Sequence, residues 1–155
     1  MPNNALIIRT SWVYSKYGNN FVKTMLRLSK ERDALNVIFD QVGTPTYAHD
    51  LAEAIMLIVE SGRFNQAKVS SELYHYSNEG VCSWYDFAKA IFELSEVSCN
   101  VSPIETKDYP TPATRPHYSL LNKAKIKQGF NLTIPHWKES LQHCLNKLEQ
   151  QEYVV

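Results

Sequence analysis

The stretch 39–52 constrains the fold of this chain more than any other. A short apolar run enters it, and an amphipathic run beginning near Asp50 leaves it. Because Gly43 and Pro45 break regular structure between the two runs, the pattern predicts a strand, a loop and a helix. The loop is rich in hydrogen-bonding side chains, namely those of Asp40, Gln41, Thr44, Thr46 and Tyr47. A polar loop on a rigid frame is a common place for ligand contacts, although a well-capped connection without a ligand would have the same pattern.

A second apolar run, over residues 5–8, predicts a strand that is buried on both faces, as in a parallel sheet. Its continuation over residues 9–14 becomes polar, as strands often do at their carboxyl ends. In open α/β sheets, ligands bind beyond those ends. Trp12 and Tyr14 are therefore candidates to flank a ligand. The alternative for both rings is a place in the core, which we favour for Tyr14.

The remaining segments alternate between strand and helix patterns, which is typical of an α/β fold. Helices are predicted over residues 21–30, from about 50 to 61, after Ser83, over 119–125 and from 135 to roughly 150, and strands over 73–78 and 100–104. Asn20 and Ser83 are the expected N-caps, and Asp86 completes a capping box with Ser83. Residues 105–114, which include Pro110 and Pro112, predict an irregular surface loop.

Length and charge exclude several classes of protein. A chain of 155 residues with 44% hydrophobic residues fits one globular domain. The formal net charge of zero argues against nucleic acid or an anionic membrane surface as the main partner, although a local cationic pocket for one phosphate stays open. No apolar run approaches the roughly 20 residues of a membrane helix. The three cysteines are odd in number and lack a C-x-x-C pair, so free thiols in a reducing cytoplasm are expected.

Two polar residues outside the first loop are candidate anion ligands. Asn20 sits at a predicted helix start, where its amide and the free backbone N–H groups are suited to an anion; a simple cap would look the same. Arg115 follows a loop and precedes Pro116, which fixes its backbone. A guanidinium held in this way suits bidentate binding of a phosphate or carboxylate. A surface salt bridge is the alternative for Arg115.

The chain contains one weak match to a catalytic motif. Tyr85 and Lys89 have the Tyr-x-x-x-Lys spacing that short-chain dehydrogenases use to lower the pKa of a phenol. The pattern has two fixed positions and matches frequently by chance. The five glycines of the chain form no Gly-x-Gly-x-x-Gly loop beside it. We therefore predict no catalytic residue and no metal ligand within the chain.

Four short motifs together suggest a family. They are Arg9-Thr10-Ser11-Trp12-Val13-Tyr14, Gly18-Asn19-Asn20-Phe21-Val22, Asp40-Gln41-x-Gly-x-Pro-Thr46-Tyr47-Ala48-x-Asp50-Leu51-Ala52 and Arg115-Pro116-x-x-Ser119-x-Leu121. Each motif is weak alone, but four in this order over nearly the whole chain are specific. With them the chain resembles the C-terminal half of the dTDP-4-dehydrorhamnose reductases, which are extended short-chain dehydrogenases/reductases. That family reduces the 4-keto group of dTDP-4-dehydro-L-rhamnose with NADPH or NADH to give dTDP-L-rhamnose.

The resemblance implies a fold and a set of substrate contacts. The fold is the C-terminal part of a Rossmann-like enzyme, with strands from the parallel sheet plus a small substrate-binding α/β subdomain. Trp12 resembles the tryptophan that lies against the deoxysugar. Asn20 and Arg115 are placed like the residues that meet the nucleotide diphosphate in related enzymes. Gln41 and Thr46 are weaker candidates from the same pocket loop.

The resemblance also implies what the complete enzyme needs. Thr10 and Ser11 lie near the end of a strand that passes beside the nicotinamide in the family. Residues 1–155 are expected to be the substrate-binding portion, with the glycine-rich loop and the catalytic Tyr-x-x-x-Lys on an N-terminal half upstream of residue 1. We expect this chain alone to be inactive and to bind no cofactor tightly. Mg²⁺, association with a second copy, a related epimerase or dehydratase half, and a non-catalytic nucleotide-sugar binding module all stay open.

Overall fold

The chain folds into alternating strands and helices. The computed structural model describes residues 5–62, 71–109 and 111–152. The elements in chain order are β1 (Leu6–Arg9), β2 (Val13–Tyr14), α1 (Phe21–Glu31), β3 (Ala34–Ile38), β4 (Val42–Gly43), β5 (Thr46–Tyr47), α2 (Ala48–Glu60), β6 (Glu72–His75), β7 (Cys82–Ser83), α3 (Trp84–Leu94), β8 (Asn100–Ile104), a 3-10 turn (Thr106–Asp108), α4 (Ala124–Phe130) and α5 (Trp137–Glu152). No helix in the described ranges is both long and apolar enough to cross a bilayer.

The described strands pair two by two, and most pairs are parallel. β1 pairs with β6, β2 with β5 and β3 with β8, all in parallel, whereas β4 and β7 are antiparallel. Parallel pairs joined through helices confirm the predicted α/β class.

The prediction that β1 is buried on both faces is wrong for this chain. Ile7 pairs with Leu73 of β6, and each side chain is 38% exposed. Ile8 points to the other face, where it packs against a core that contains Tyr74. The described helices therefore cover one face of the β1–β6 pair and leave the other face open.

Two hydrophobic cores hold the elements together. The first core lies among α1, α3, α5, β2 and β3, with Val22, Phe87, Ile91 and Leu141 fully buried. Tyr14 is 1% exposed and belongs to this core, as predicted. The second core joins α2, α4 and β6 and contains Ala54, Ile58, Tyr74, Ile126 and Ile134, with Leu6 and Ile8 of β1 packed against it.

A buried polar network joins the two cores. Asn78 donates from Nδ2 to Asp50 Oδ2 at 2.6 Å and to Ser140 Oγ at 2.9 Å, and Ser140 Oγ donates to the same carboxylate oxygen at 2.6 Å. Asn78 Oδ1 accepts from the Tyr47 N–H at 2.8 Å. Since buried polar groups need partners, this network fixes the start of α2 against the first half of α5.

Most predicted helices and caps are present. Asn20 caps α1 through a hydrogen bond from the Lys23 N–H, and Ser83 and Asp86 form the predicted capping box at α3. The helix predicted from residue 119 is wrong in its boundary, because α4 begins at Ala124. Ser119 instead donates its backbone N–H to the Val42 carbonyl at 2.9 Å, and this non-local contact keeps the segment extended. Within the predicted loop 105–114, Pro110 lies outside the described residues and 106–108 form the 3-10 turn.

Candidate functional site

The candidate site is organised around Gly43 in β4. A Cβ atom at this position would lie 2.8 Å from Cε2 and Cζ2 of Trp12 and 2.8 Å from Oγ of Ser119. Such distances are shorter than side chains tolerate, so the close approach of the three segments requires glycine. Three of the four motifs found in the sequence therefore meet at one residue.

Trp12 has an unusual backbone that is held by its surroundings. Its φ of 47° lies in the left-handed region, which is rare for a bulky residue. Its carbonyl accepts the Thr46 N–H at 3.1 Å. Its indole stacks on that of Trp84, with ring centroids 3.6 Å apart and an interplanar angle of 14°. The side chain is partly buried, so part of its surface remains accessible.

The loop between β4 and α2 is joined to the carboxyl end of β1 by hydroxyl groups. Thr10 Oγ1 donates to Thr46 Oγ1 at 3.2 Å, and Ser11 Oγ donates to the Thr44 carbonyl at 3.0 Å. Thr46 is fully buried. Thr10, Ser11 and Thr46, each a predicted site residue, are thus brought together next to Trp12.

Gln41 is buried, and its side chain serves a structural contact. Its Nε2 donates to Thr106 Oγ1 at 3.1 Å, and Thr106 Oγ1 donates to Asp40 Oδ1 at 2.6 Å. The hydrogen bond from the Thr106 hydroxyl is the main reason why the pKa of Asp40 lies below its usual value. Gln41 Nε2 is therefore used within the protein, and the predicted contact with a ligand is limited to the atoms of Gln41 that these hydrogen bonds leave accessible.

Arg115 lies on an exposed segment beside the site. Among the described residues, none forms a hydrogen bond or ion pair with its guanidinium. Two residues further on, the His117 carbonyl accepts the Val42 N–H at 2.8 Å. The structure thus ties the Arg115 segment to β4 through the backbone and leaves its cationic group facing solvent.

Asn20 uses its amide within the protein. Oδ1 accepts from the Lys23 N–H at 3.3 Å, and Nδ2 donates to the Ser15 carbonyl at 2.7 Å. The next residue, Phe21, lies against Trp84 with centroids 4.7 Å apart. Asn20 is therefore connected to the Trp12 region through Phe21 and Trp84.

The phenols and thiols behind this region are held neutral. Burial raises the pKa of Tyr47 to about 12 and that of Cys144 to about 11. Burial also raises the pKa of Tyr14 well above its ordinary value. These groups line the interior beneath the site and carry no charge near neutral pH.

Tyr85 and Lys89 follow Trp84 in α3. Tyr85 packs partly against the first core. Lys89 is exposed and borders a shallow cleft of about 510 Å³ between the end of α3 and the start of β8. That cleft shares no residue with the contacts around Gly43.

One group of side chains has the donor types of a cation site. Within the described ranges, His49, Asp50 and Glu53 offer ligand atoms within 4.8 Å of one another. Asp50 Oδ2 already accepts hydrogen bonds from Asn78 and Ser140. The donor set therefore fits a resident Mg²⁺ poorly, because the carboxylate is used by the buried network.

Two contacts of the site were missed by sequence reasoning. Trp84 lies at the start of the helix predicted after Ser83, but its stack on Trp12 depends on a contact 72 residues away along the chain. The steric need for Gly43 likewise depends on Trp12 and Ser119. No local pattern signals either contact.

Comparisons with known proteins give a consistent result. The sequence model of the family described as the RmlD substrate binding domain matches residues 2–150. A dTDP-4-dehydrorhamnose reductase from Aggregatibacter actinomycetemcomitans is 45% identical over 145 residues, which are 90% of this chain and 49% of that protein. The chain spans about half the length of the curated relatives it matches.

Solved structures agree in fold. A dTDP-4-dehydrorhamnose reductase from Bacillus anthracis in complex with NADP has a TM-score of 0.83 at 41% identity, covering 92% of this chain and 48% of that one. A dTDP-glucose 4,6-dehydratase from Bacillus anthracis in complex with NAD has a TM-score of 0.72 at 16% identity, covering 96% and 46%. The second likeness shows the shared Rossmann-like fold alone.

Proposed function

Because the chain belongs to the family of RmlD substrate binding domains, we propose that it forms the part of a dTDP-4-dehydrorhamnose reductase that binds the dTDP-sugar. The observation that carries this proposal is the meeting of three motif segments at Gly43, which borders Trp12 and Ser119. A wall built from separate segments on a rigid frame suits a ligand of sugar size.

Each candidate residue has a role in this proposal. The accessible part of the Trp12 indole forms an apolar wall for the deoxysugar. Arg115, whose guanidinium has no partner among the described residues, binds the diphosphate. Asn20 shapes the start of α1, where backbone N–H groups favour an anion. Gln41 and Thr46 support the pocket loop from inside, since both are buried.

The reduction itself is proposed for the complete enzyme. NADPH or NADH supplies the hydride for the 4-keto group when it is bound. Thr10 and Ser11 fit the edge of a nicotinamide site, because both hydroxyls lie at the carboxyl end of β1. The glycine-rich loop and the proton donor are assigned to the other half of the enzyme, so this chain binds and orients the substrate. We place the enzyme in the cytoplasm.

Isothermal titration calorimetry with dTDP-L-rhamnose and with dTDP tests the binding role. The 155-residue chain should bind both ligands. Arg115→Ala should weaken both by about tenfold or more, since a hydrogen bond to a charged group contributes roughly 1.5–3 kcal/mol. Arg27→Ala removes an equal charge from the exposed face of α1 and serves as the control. Binding of neither ligand by the wild-type chain would refute the proposal, and equal losses in the two variants would refute the role of Arg115.

The same preparation tests whether the 155-residue chain lacks reductase activity by itself. Mixed with NADPH and dTDP-4-dehydro-L-rhamnose, the 155-residue chain should show no oxidation of NADPH. Turnover above the uncatalysed rate would mean that the proton and hydride machinery lies within these residues.

A further inference from the structure

An aromatic column runs from the first core outward to Trp12. Phe87, which is fully buried, stacks on Phe21 with centroids 5.6 Å apart. Phe21 lies against Trp84 at 4.7 Å, and Trp84 stacks on Trp12 at 3.6 Å. The column therefore connects the accessible indole of Trp12 to the rigid interior through three other rings.

The backbone next to Trp84 is also connected to the Trp12 indole, through the β4–β7 ladder. Trp84 is the first residue of α3, directly after the capping box of Ser83. In the β4–β7 ladder, Ser83 pairs with Val42 and Cys82 pairs with Gly43. Gly43 in turn borders the six-membered ring of Trp12. The β4–β7 ladder thus positions both the Trp84 ring, which covers the Trp12 indole, and the Gly43 backbone, which borders it.

We propose that Trp84 is a positioning residue for the sugar end of the ligand. It covers one face of the Trp12 indole and holds that indole in the orientation in which the sugar meets it. The sugar then contacts the surface of Trp12 that Trp84 leaves open. This inference rests on the proposed function and names a residue that acts through Trp12 without touching the ligand.

Anchoring of α3 does not require Trp84. Phe87 and Ile91 of α3 are fully buried, and the capping box fixes its first turn. Trp84 itself is only partly buried. The left-handed backbone of Trp12, by contrast, is a strained conformation that persists only when its surroundings enforce it. The stack is therefore better explained by its effect on Trp12 than by the stability of α3.

Calorimetry with dTDP-L-rhamnose and dTDP separates the two ends of the ligand. Trp84→Ala should weaken binding of dTDP-L-rhamnose by about tenfold, which is the upper range for loss of an aromatic pair. Binding of dTDP, which lacks the rhamnose, should not change. Trp84→Phe keeps a flat ring against Trp12 and should restore the wild-type affinity. Tyr85→Ala truncates the neighbouring ring on α3 and should affect neither ligand.

Circular dichroism provides a readout that is independent of the ligand. The two indoles, whose centroids lie 3.6 Å apart, should contribute an exciton-coupled signal to the wild-type spectrum, and this contribution should be lost in Trp84→Ala and Trp84→Phe. Thermal unfolding of each variant checks its fold. If Trp84→Ala does not fold, Trp84→Leu fills part of the space without a flat ring and should show the same selective loss.

Two results would overturn the inference. Unchanged binding of dTDP-L-rhamnose by a folded Trp84→Ala or Trp84→Leu would show that the stack has no role. Equal losses for dTDP and dTDP-L-rhamnose would assign Trp84 a general structural role. Failure of the wild-type chain to bind either ligand would instead refute the proposed function on which the inference depends.

Discussion

Gly43 has no room for a side chain, because atoms of Trp12 and Ser119 both lie 2.8 Å from where its Cβ would be. The serine hydroxyl can rotate away, whereas the indole is held in its stack on Trp84. A change at residue 43 must therefore move Trp12 or separate β4 from β7.

Gly43→Ala is expected to destabilise the chain by about 1–3 kcal/mol, the usual range for overpacking, and to weaken binding of dTDP-L-rhamnose. Urea denaturation followed by tryptophan fluorescence measures the first effect and calorimetry the second. Gly129→Ala is the matched control, since its Cβ would meet Tyr74 at an ordinary 3.7 Å within α4. A Gly43→Ala variant as stable as the Gly129→Ala variant would contradict the steric argument.

Single-residue features were predictable from the sequence where they depend on neighbours in the chain. Asn20, Ser83 and Asp86 have their capping roles because each partner lies three residues away. The left-handed backbone of Trp12 and its stack on Trp84 depend on contacts between distant segments, so no local pattern predicts them. Whether Trp12 and Arg115 bind a ligand stays a prediction.

At the scale of elements, Asp40 anchors both ends of the segment that carries Arg115. At one end, its carboxylate accepts the Thr106 N–H at 2.9 Å and 3.1 Å and the Thr106 hydroxyl at 2.6 Å. At the other end, His117 Nδ1 lies 2.9 Å from the Asp40 backbone carbonyl and 3.6 Å from its carboxylate. The segment is thus a loop whose two ends are held at one residue.

This anchor predicts a dependence of stability on pH. The folded-state pKa of Asp40 is lowered, first by the hydrogen bond from the Thr106 hydroxyl, so ionised Asp40 favours the folded state. The stabilisation should be fully present above the ordinary aspartate pKa of about 3.9 and should be lost as the pH falls through the lower folded-state value. Thr106→Val should therefore be less stable than the wild type at neutral pH, with the difference shrinking in acid.

Urea midpoints of both proteins, measured from neutral pH down to about pH 3, test this expectation. Thr111→Val removes a hydroxyl that donates to the nearby Ala113 carbonyl, and should leave the pH profile unchanged. A Thr106→Val profile parallel to that of the wild type would exclude the proposed anchor.

Helices and strands were predicted well where hydrophobic periodicity determines the local structure. They were predicted poorly where a segment forms hydrogen bonds with a strand far away in sequence. α1, α3 and α5 follow their apolar stripes closely. α4 begins five residues after its predicted start because Ser119 bonds to Val42, 77 residues away in sequence. The short strands β4 and β5 were predicted as loop, since two-residue pairs have no periodicity to detect.

At the scale of the whole molecule, two groups of apolar side chains are open to solvent. Ile55, Met56 and Val59 of α2 are 40%, 55% and 60% exposed. Ile7 and Leu73 are exposed on the outer face of the β1–β6 pair. Exposed apolar side chains in such groups favour association with another protein surface.

We expect the chain to self-associate as its concentration rises. Replacing Met56 and Val59 together by lysine should shift it towards the monomer in sedimentation velocity experiments, because charge opposes burial of this side of α2. Gln150→Lys, on an exposed position of α5, adds charge elsewhere and should leave association unchanged. A wild-type chain that stays monomeric at all concentrations would contradict the expectation.

The network of Asp50, Asn78 and Ser140 has a consequence for how the molecule melts. Its hydrogen bonds connect α2, which packs on one core, to α5, which packs on the other. If either core unfolds, the buried carboxylate of Asp50 loses hydrogen bonds from Asn78 or Ser140, and leaving it unpaired costs free energy. The two cores should therefore unfold as one cooperative unit, and differential scanning calorimetry should record a single heat-absorption peak.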